Sequence, residues 1–178
     1  MPLSEEILIR AARGDQSAFG QLVQEHQSMV YSLAYNFLRD QPMAEELAQE
    51  VFLQLYRSLA KIESLSHLKF WLRRVTANRC IDSIRSQANR TEISWDELPE
   101  PAAPLEEADP MLTRRLQVLV ASLPPRLRLV VTLRFQEDLQ LSEIAEVLGM
   151  PINTVKSHLY RALELLHGKL NAMEKLPV

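Results

Sequence analysis

The segment 153–161 contains side chains that can read the edges of DNA bases. Arg and Lys reach guanine or phosphate oxygens, Asn pairs with adenine, and Ser or Thr can contact either. Helical periodicity predicts that this segment begins a helix, about Asn153–Leu170, which follows a shorter one, about Leu141–Leu148, across a turn at Gly149. A short helix, a turn and a longer helix are typical of a helix-turn-helix. The candidate DNA contacts are Thr154, Lys156, Ser157, His158, Tyr160 and Arg161.

The opposite side of the longer helix is apolar. The residues that recur there at helical spacing are Val155, Leu159, Ala162 and Leu166. An exposed helical hairpin with a solvated face is the alternative, but it does not explain why a turn, an apolar seam and a polar face coincide. His158 and His167 share no helix face and have no neighbouring Cys or His in the sequence, so we expect no metal site.

A second group of candidate residues lies on a predicted helix over about 67–86, where basic residues strongly outnumber acidic ones. At about 100° per residue, Trp71, Arg74, Asn78 and Arg85 fall on one stripe. An aromatic ring beside phosphate-binding charges suits unstacked, single-stranded bases. A core Trp71 with a solvated basic face is the alternative, and on its own the pattern fits both interpretations.

The preceding helix, predicted over about Met43–Leu59, is acidic near its start. Its outward residues are Glu45, Glu46, Gln49, Glu50 and Phe52, and its predicted inward residues are Leu47, Ala48, Val51 and Leu55. Acidic residues stabilise a helix N-terminus through the macrodipole, which accounts for Glu45 and Glu46 without any partner. A functional interpretation requires a protein partner, because an acidic surface does not attract DNA.

These helices must be held by others, and the composition supports an all-α fold. The chain has 178 residues, only four of them Gly, with stretches rich in Leu, Ala, Glu and Arg that favour helices. Further helices are predicted over about 4–13, 17–39, 111–123 and 126–136. The chain length suits one ordinary domain or two small ones.

Charge and proline content divide the chain. Residues 91–111 hold seven acidic residues, no basic residue and four prolines, which is typical of a linker. We therefore predict two small helical domains, 1–90 and 111–178, joined by a flexible acidic linker, 91–110. The net charge of −3 argues against simple DNA coating, which requires excess positive charge.

The remaining signals concern chemistry and location. Cys80, the single cysteine, lies within the basic helix without a nearby His, so we predict a packed residue rather than a nucleophile. No apolar export or membrane-spanning segment is evident, and we expect a cytoplasmic protein without direct membrane insertion. The sequence shows no nucleophile with a base, no metal cluster and no phosphate loop. We therefore expect neither an enzyme nor a protein with a cofactor or a small-molecule substrate.

In four segments, in this order and spacing, the chain resembles the extracytoplasmic-function (ECF) sigma factors of bacterial RNA polymerase. The segments are Ala44–Phe52, Phe70–Asp82, Leu123–Arg126 and Ser142–Arg161. The resemblance covers nearly the whole chain. It implies that 1–90 is a sigma region 2 domain that recognises and melts the promoter −10 element, and that 111–178 is a region 4 domain that reads the −35 element.

The resemblance also implies partners for each surface. Glu45–Phe52 is similar to the helix that docks on the clamp helices of the largest polymerase subunit, the flap region is a further polymerase contact, and Ser64–Trp71 is similar to the segment that captures a flipped base. An anti-sigma factor is the expected inhibitor. His158 departs from the Arg of many relatives, so a contact there would be weaker or pH-dependent. The implied −10 contacts are Ser64, His67, Lys69, Phe70, Trp71, Arg74, Asn78, Arg79 and Arg85.

Two other classes of protein fit the sequence less well. A stand-alone helix-turn-helix regulator would bind DNA as a dimer, but it would leave the first ninety residues unexplained. An enzyme would require a nucleophile with a base or a metal cluster, and the sequence offers neither.

Overall fold

The computed structural model describes residues 4–90 and 110–174, and the regular structure in these ranges is helical, which confirms the all-α prediction. The predicted linker, apart from Pro110, lies outside the described residues. The helices, with one 3₁₀ turn at Leu59–Lys61, are α1 (Glu5–Ala12), α2 (Gln16–Leu38), α3 (Gln41–Ser58), α4 (Leu65–Arg90), α5 (Pro110–Ala121), α6 (Pro125–Phe135), α7 (Leu141–Leu148) and α8 (Ile152–Glu174).

The chain divides into two compact units, an N-terminal unit, Met1–Cys80, and a C-terminal unit, Ile81–Val178. The division falls inside α4, which continues without interruption to Arg90. In the N-terminal unit α2 packs against α1 and α3. Its fully buried large residues are Leu22, Val30, Leu33 and Phe37 from α2, Leu55 from α3, and Leu68 and Leu72 from α4.

Aspartate caps fix where two of these helices begin. Asp15 Oδ1 accepts a hydrogen bond from the Ala18 backbone N–H at 3.1 Å, and Asp40 Oδ1 accepts one from Met43 at 2.9 Å. Each carboxylate satisfies a backbone donor that has no partner within its helix. Between them, Arg39 adopts a left-handed conformation, with φ of 57°, which ends α2 and turns the chain into α3.

In the C-terminal unit, α6 supplies the centre of the core. Its residues from Leu127 to Leu133 are all buried, including Arg128, whose guanidinium donates to the Leu123 carbonyl at 3.1 Å. One compact cluster joins α6 to α8 and consists of Leu123, Leu127, Val131 and Ala162, with Val120, Leu159 and Leu166 packed against it. The predicted apolar seam of α8 is therefore the side that faces the core.

Gly149 forms the turn between α7 and α8. Its φ is +61°, its N–H donates to Glu146 O at 3.3 Å, and the Met150 N–H donates to Ala145 O at 3.0 Å. This pair of bonds is a Schellman motif, which requires a left-handed residue after the helix. Pro151 follows and prevents α7 from continuing.

A matched pair of glycine substitutions tests this turn. Gly149→Ala is expected to lower the free energy of unfolding by about 1–2 kcal/mol, because an L-residue is strained in the left-handed region. A Cβ at Gly149 would meet no atom within 4 Å, so the cost is conformational rather than steric. Gly168→Ala, inside α8 and equally open, is expected to stabilise by about 0.5–1 kcal/mol. Urea denaturation measures both, and shifts of the same sign would contradict this account.

Candidate nucleic-acid interface

The structure brings the predicted contacts of α8 to one accessible side of the helix-turn-helix. Beneath them, Ile144 and Val147 of α7 and Val155 of α8 are buried. Ala145 and Leu148 of α7 are only partly buried. On the accessible side, Thr154 and His158 are half-buried, and the exposed residues are Lys156, Ser157, Tyr160 and Arg161.

Two of these side chains have defined local states. The Ser157 hydroxyl donates to the Asn153 carbonyl at 2.9 Å, which leaves its oxygen free to accept. The His158 Nδ1 is buried and has no hydrogen-bond partner among the described residues. Burial first, and then the charges of Arg126 and Arg161, hold the pKa of His158 below its usual value. His158 is therefore neutral at neutral pH, and protonation requires a more acidic solution than an ordinary histidine needs.

The start of α4 differs from the prediction by two residues. The helix begins at Leu65 rather than near His67, because Ser64 caps it: Ser64 Oγ accepts from the His67 N–H at 3.1 Å. Glu5 of α1 accepts from the Leu65 N–H at 3.2 Å, and His67 Nδ1 accepts from the Glu63 N–H at 3.3 Å. Three backbone N–H groups at the start of the predicted base-capturing segment are thus bonded to side chains, and one of these side chains, that of Glu5, is far away in the sequence.

The predicted stripe on α4 is accessible. Arg74, Asn78 and Arg85 are exposed, and Trp71 is half-buried rather than a closed core residue. Lys69 is exposed, and Phe70 is half-buried. The side chain of Arg85 lies 4.0 Å from the carboxylate of Asp82, in an exposed pair. The ring of Trp71 and these charges can therefore meet a ligand from solvent.

Arg79 is placed differently from the rest of the basic group. Its guanidinium donates to Glu50 Oε2 at 2.8 Å and to Gln54 Oε1 at 3.0 Å, both on α3. A predicted DNA contact and a predicted polymerase contact are thus bonded to each other.

The outer face of α3 carries the predicted acidic group. Glu45, Glu46, Gln49 and Glu50 are exposed, and Phe52 is half-buried. Beside them, α2 and α3 form an open groove of about 980 Å³, which the sequence did not predict. Its apolar lining includes Phe19, Val23, Ala48, Phe52, Leu53 and Tyr56. Leu53 and Tyr56 are 59% and 49% exposed, so the groove presents apolar surface to solvent.

Metal binding and thiol chemistry have little support in the part of the chain that the structure describes. No group of three or more His, Cys, Asp or Glu residues within it could hold a metal ion. Cys80 is buried, and burial raises the pKa of its thiol to about 12, so it supplies no thiolate nucleophile near neutral pH. None of the helices in 4–90 and 110–174 has the length and apolar character that crossing a membrane requires.

Comparison with known proteins covers both units. The family model for Sigma-70 region 2 matches residues 22–90, and that for Sigma-70 region 4 matches residues 113–166. The chain is 30% identical to the ECF RNA polymerase sigma factor SigW of Bacillus subtilis, over 89% of this chain and 91% of that protein. It is also 30% identical to the ECF RNA polymerase sigma-E factor of Escherichia coli K12, over 96% of each chain.

A solved structure shows the same fold. The sigma factor RpoE of Bartonella quintana, in a co-crystal with the anti-sigma factor NepR, matches with a TM-score of 0.71 and 19% identity, over 86% of this chain and 96% of that one. With a helix-turn-helix in the C-terminal unit, two sigma-70 region models in order and relatives matched over nearly their full length, this chain belongs to the ECF sigma factors, the transcription initiation factors of RNA polymerase.

Proposed function

We propose that residues 1–90 melt and hold the −10 element, that 111–178 read the −35 element as duplex, and that 91–110 is the linker between them. The observation that carries the −35 assignment is the α8 surface, where Lys156, Tyr160 and Arg161 project from a helix whose other side is locked into the core. A helix so fixed can enter a major groove without losing its own packing. Each bidentate base contact discriminates by about 1–3 kcal/mol.

The −10 assignment rests on the α4 stripe and the fixed segment before it. Trp71 offers a partly open aromatic face, and Arg74 and Arg85 lie on the same stripe, so a displaced strand could be held by stacking and by phosphate contacts together. The capped segment at Ser64 and His67 gives a flipped base a preformed site. A preformed site avoids the ordering cost that a mobile loop would add.

Polymerase binding is assigned to the outer face of α3 and the adjoining groove. Glu45 and Gln49 are polar residues that line the groove, and Phe52, Leu53 and Tyr56 supply apolar surface in it; Glu46 is exposed on the same helix. A polar rim around an apolar centre is the usual composition of a protein–protein interface. The proposed partner is the clamp helices of the largest subunit, with the flap region as partner of 111–178.

An anti-sigma factor is the proposed regulator, because the Bartonella quintana sigma factor with this fold was crystallised with one. We further propose that the protein acts in the cytoplasm and is not an enzyme. Both proposals follow from its role as a subunit of the transcription machinery.

Run-off transcription with core RNA polymerase tests the proposed function. Promoters are selected from a randomised library, and the intact chain is compared with Arg161→Ala. The expected result is a promoter-specific transcript only when the chain is present, reduced roughly 5- to 150-fold by Arg161→Ala, the equivalent of one base contact. Arg114→Ala, an exposed arginine on α5, is the charge-matched control. No transcript, with tight binding of the isolated chain to a palindromic duplex, would replace the sigma assignment with a stand-alone regulator.

A further inference from the structure

The bond between Glu50 and Arg79 joins two helices that the proposed function gives to different partners. Arg79 extends from α4 to α3 and forks onto two acceptors, Glu50 Oε2 at 2.8 Å and Gln54 Oε1 at 3.0 Å. The acceptors lie four residues apart, one turn along the same side of α3. A planar guanidinium that donates to two points on one helix fixes both the distance of Arg79 from that helix and the direction from which its side chain approaches.

The helical position of Arg79 separates it from the α4 stripe. It follows Leu68 by eleven residues and Leu72 by seven, spacings that place residues on the same helix face, and both leucines are fully buried. Trp71, Arg74 and Asn78 lie on a different, accessible side. Arg79 is thus directed towards α3 at the margin of the core, and not towards the surface proposed to hold the promoter strand.

Glu50 is equally committed. It lies on the acidic face of α3 and is exposed, but its carboxylate is bonded to Arg79. The two side chains of the pair are 42% and 48% exposed, so solvent screens the bond and it adds little to stability. Because Arg79 bonds to two positions of α3, the pair instead constrains how α4 can lie against α3.

We propose that Glu50 and Arg79 are a positioning pair. Arg79 acts on promoter DNA through the placement of α4 rather than by touching DNA, and Glu50 acts on α4 rather than on polymerase. When polymerase binds α3, the pair therefore also positions the stripe of α4 that binds the promoter strand. The inference rests on the proposed function for its consequence, and on the two bonds for its geometry.

Charge exchange between the two positions tests the pair. Glu50→Arg, Arg79→Glu and the exchanged double variant are compared with the intact chain in run-off transcription with core polymerase. Each single reversal is expected to reduce transcript about tenfold, and the exchange to restore it to within about threefold, because a reversed pair can bond again. Thermal unfolding midpoints accompany the assay to show that every variant is folded at its temperature.

Direct contacts predict the opposite result. If Arg79 bound DNA, the exchanged chain would still place a carboxylate against phosphate and would stay as inactive as Arg79→Glu. If Glu50 bound polymerase, the exchange would not recover polymerase affinity. Either outcome overturns the proposal. Glu46→Arg with Arg74→Glu, exposed residues of the same two helices, is the control exchange, and no recovery is expected from it.

A second measurement does not depend on sigma activity. Amide hydrogen exchange of α4 residues 68–80 in the chain alone is expected to be about two- to fivefold faster in each single reversal and normal in the exchanged chain. Unchanged exchange rates in the single variants would overturn the positioning role. Absence of any promoter-specific transcript from the intact chain would instead overturn the proposed function, so the two failures are distinguishable.

Discussion

Replacing Phe37 with Ala is expected to lower the free energy of unfolding of this chain by about 3–5 kcal/mol. Phe37 is a fully buried side chain of α2, and its removal leaves a cavity that the surrounding leucines can close only in part. Because small domains are stable by about 5–15 kcal/mol, such a loss leaves little reserve. Urea denaturation followed by far-ultraviolet circular dichroism measures the change.

Leu53→Ala is the control for Phe37→Ala. Leu53 lies on α3 and is 59% exposed, so truncation there is expected to change stability by at most about 0.5 kcal/mol. A loss below about 1 kcal/mol for Phe37→Ala would contradict the packing of α2, because removal of a well-packed aromatic side chain lowers the free energy of unfolding by more than that.

Trp71→Ala is expected to reduce promoter-specific transcription from a duplex template roughly 5- to 150-fold, the equivalent of about 1–3 kcal/mol for one stacked base. The ring is half-buried, so it has an accessible face to stack on and its loss leaves the fully buried core intact. Run-off transcription with saturating core polymerase measures the effect. Trp71→Phe, which keeps an aromatic face, is expected to retain most of the activity.

The cause of that loss is checked by permanganate footprinting of the −10 thymines, which react only when unstacked. Reactivity is expected to fall in parallel with transcript. Normal reactivity with reduced transcript would show that Trp71 acts at a later step than strand opening, and a large drop in the thermal midpoint would show that the ring is needed for folding instead.

Local patterns predicted the helix-turn-helix best. The bounds of α7, Leu141–Leu148, agree with those expected from Gly149, and the apolar seam of α8 packs into the core as its spacing indicated. These features depend on backbone conformation and period, which are properties of short segments. The family relationship was also predictable, because it is carried by four segments of the chain.

Contacts between residues far apart in the chain could not be predicted from the sequence. Glu5 bonds to Leu65 across 60 positions, and Arg79 bonds to Glu50 across 29, and neither pair has a local signal. The groove between α2 and α3 was also missed, because Ala48 was predicted to face the core. In the structure Ala44 is the buried residue, and Ala48 lines the groove.

The burial of Cys80 makes the chain convenient for site-specific labelling. It is the only cysteine of the sequence, and with a thiol pKa of about 12 its reaction with maleimides near neutral pH is suppressed while the N-terminal unit stays folded. A second cysteine introduced at an exposed position would be the reactive one, without removal of the native residue. Fluorescent dyes attached on α3 and α8 in this way would report the distance between the two units, in the chain alone and on polymerase.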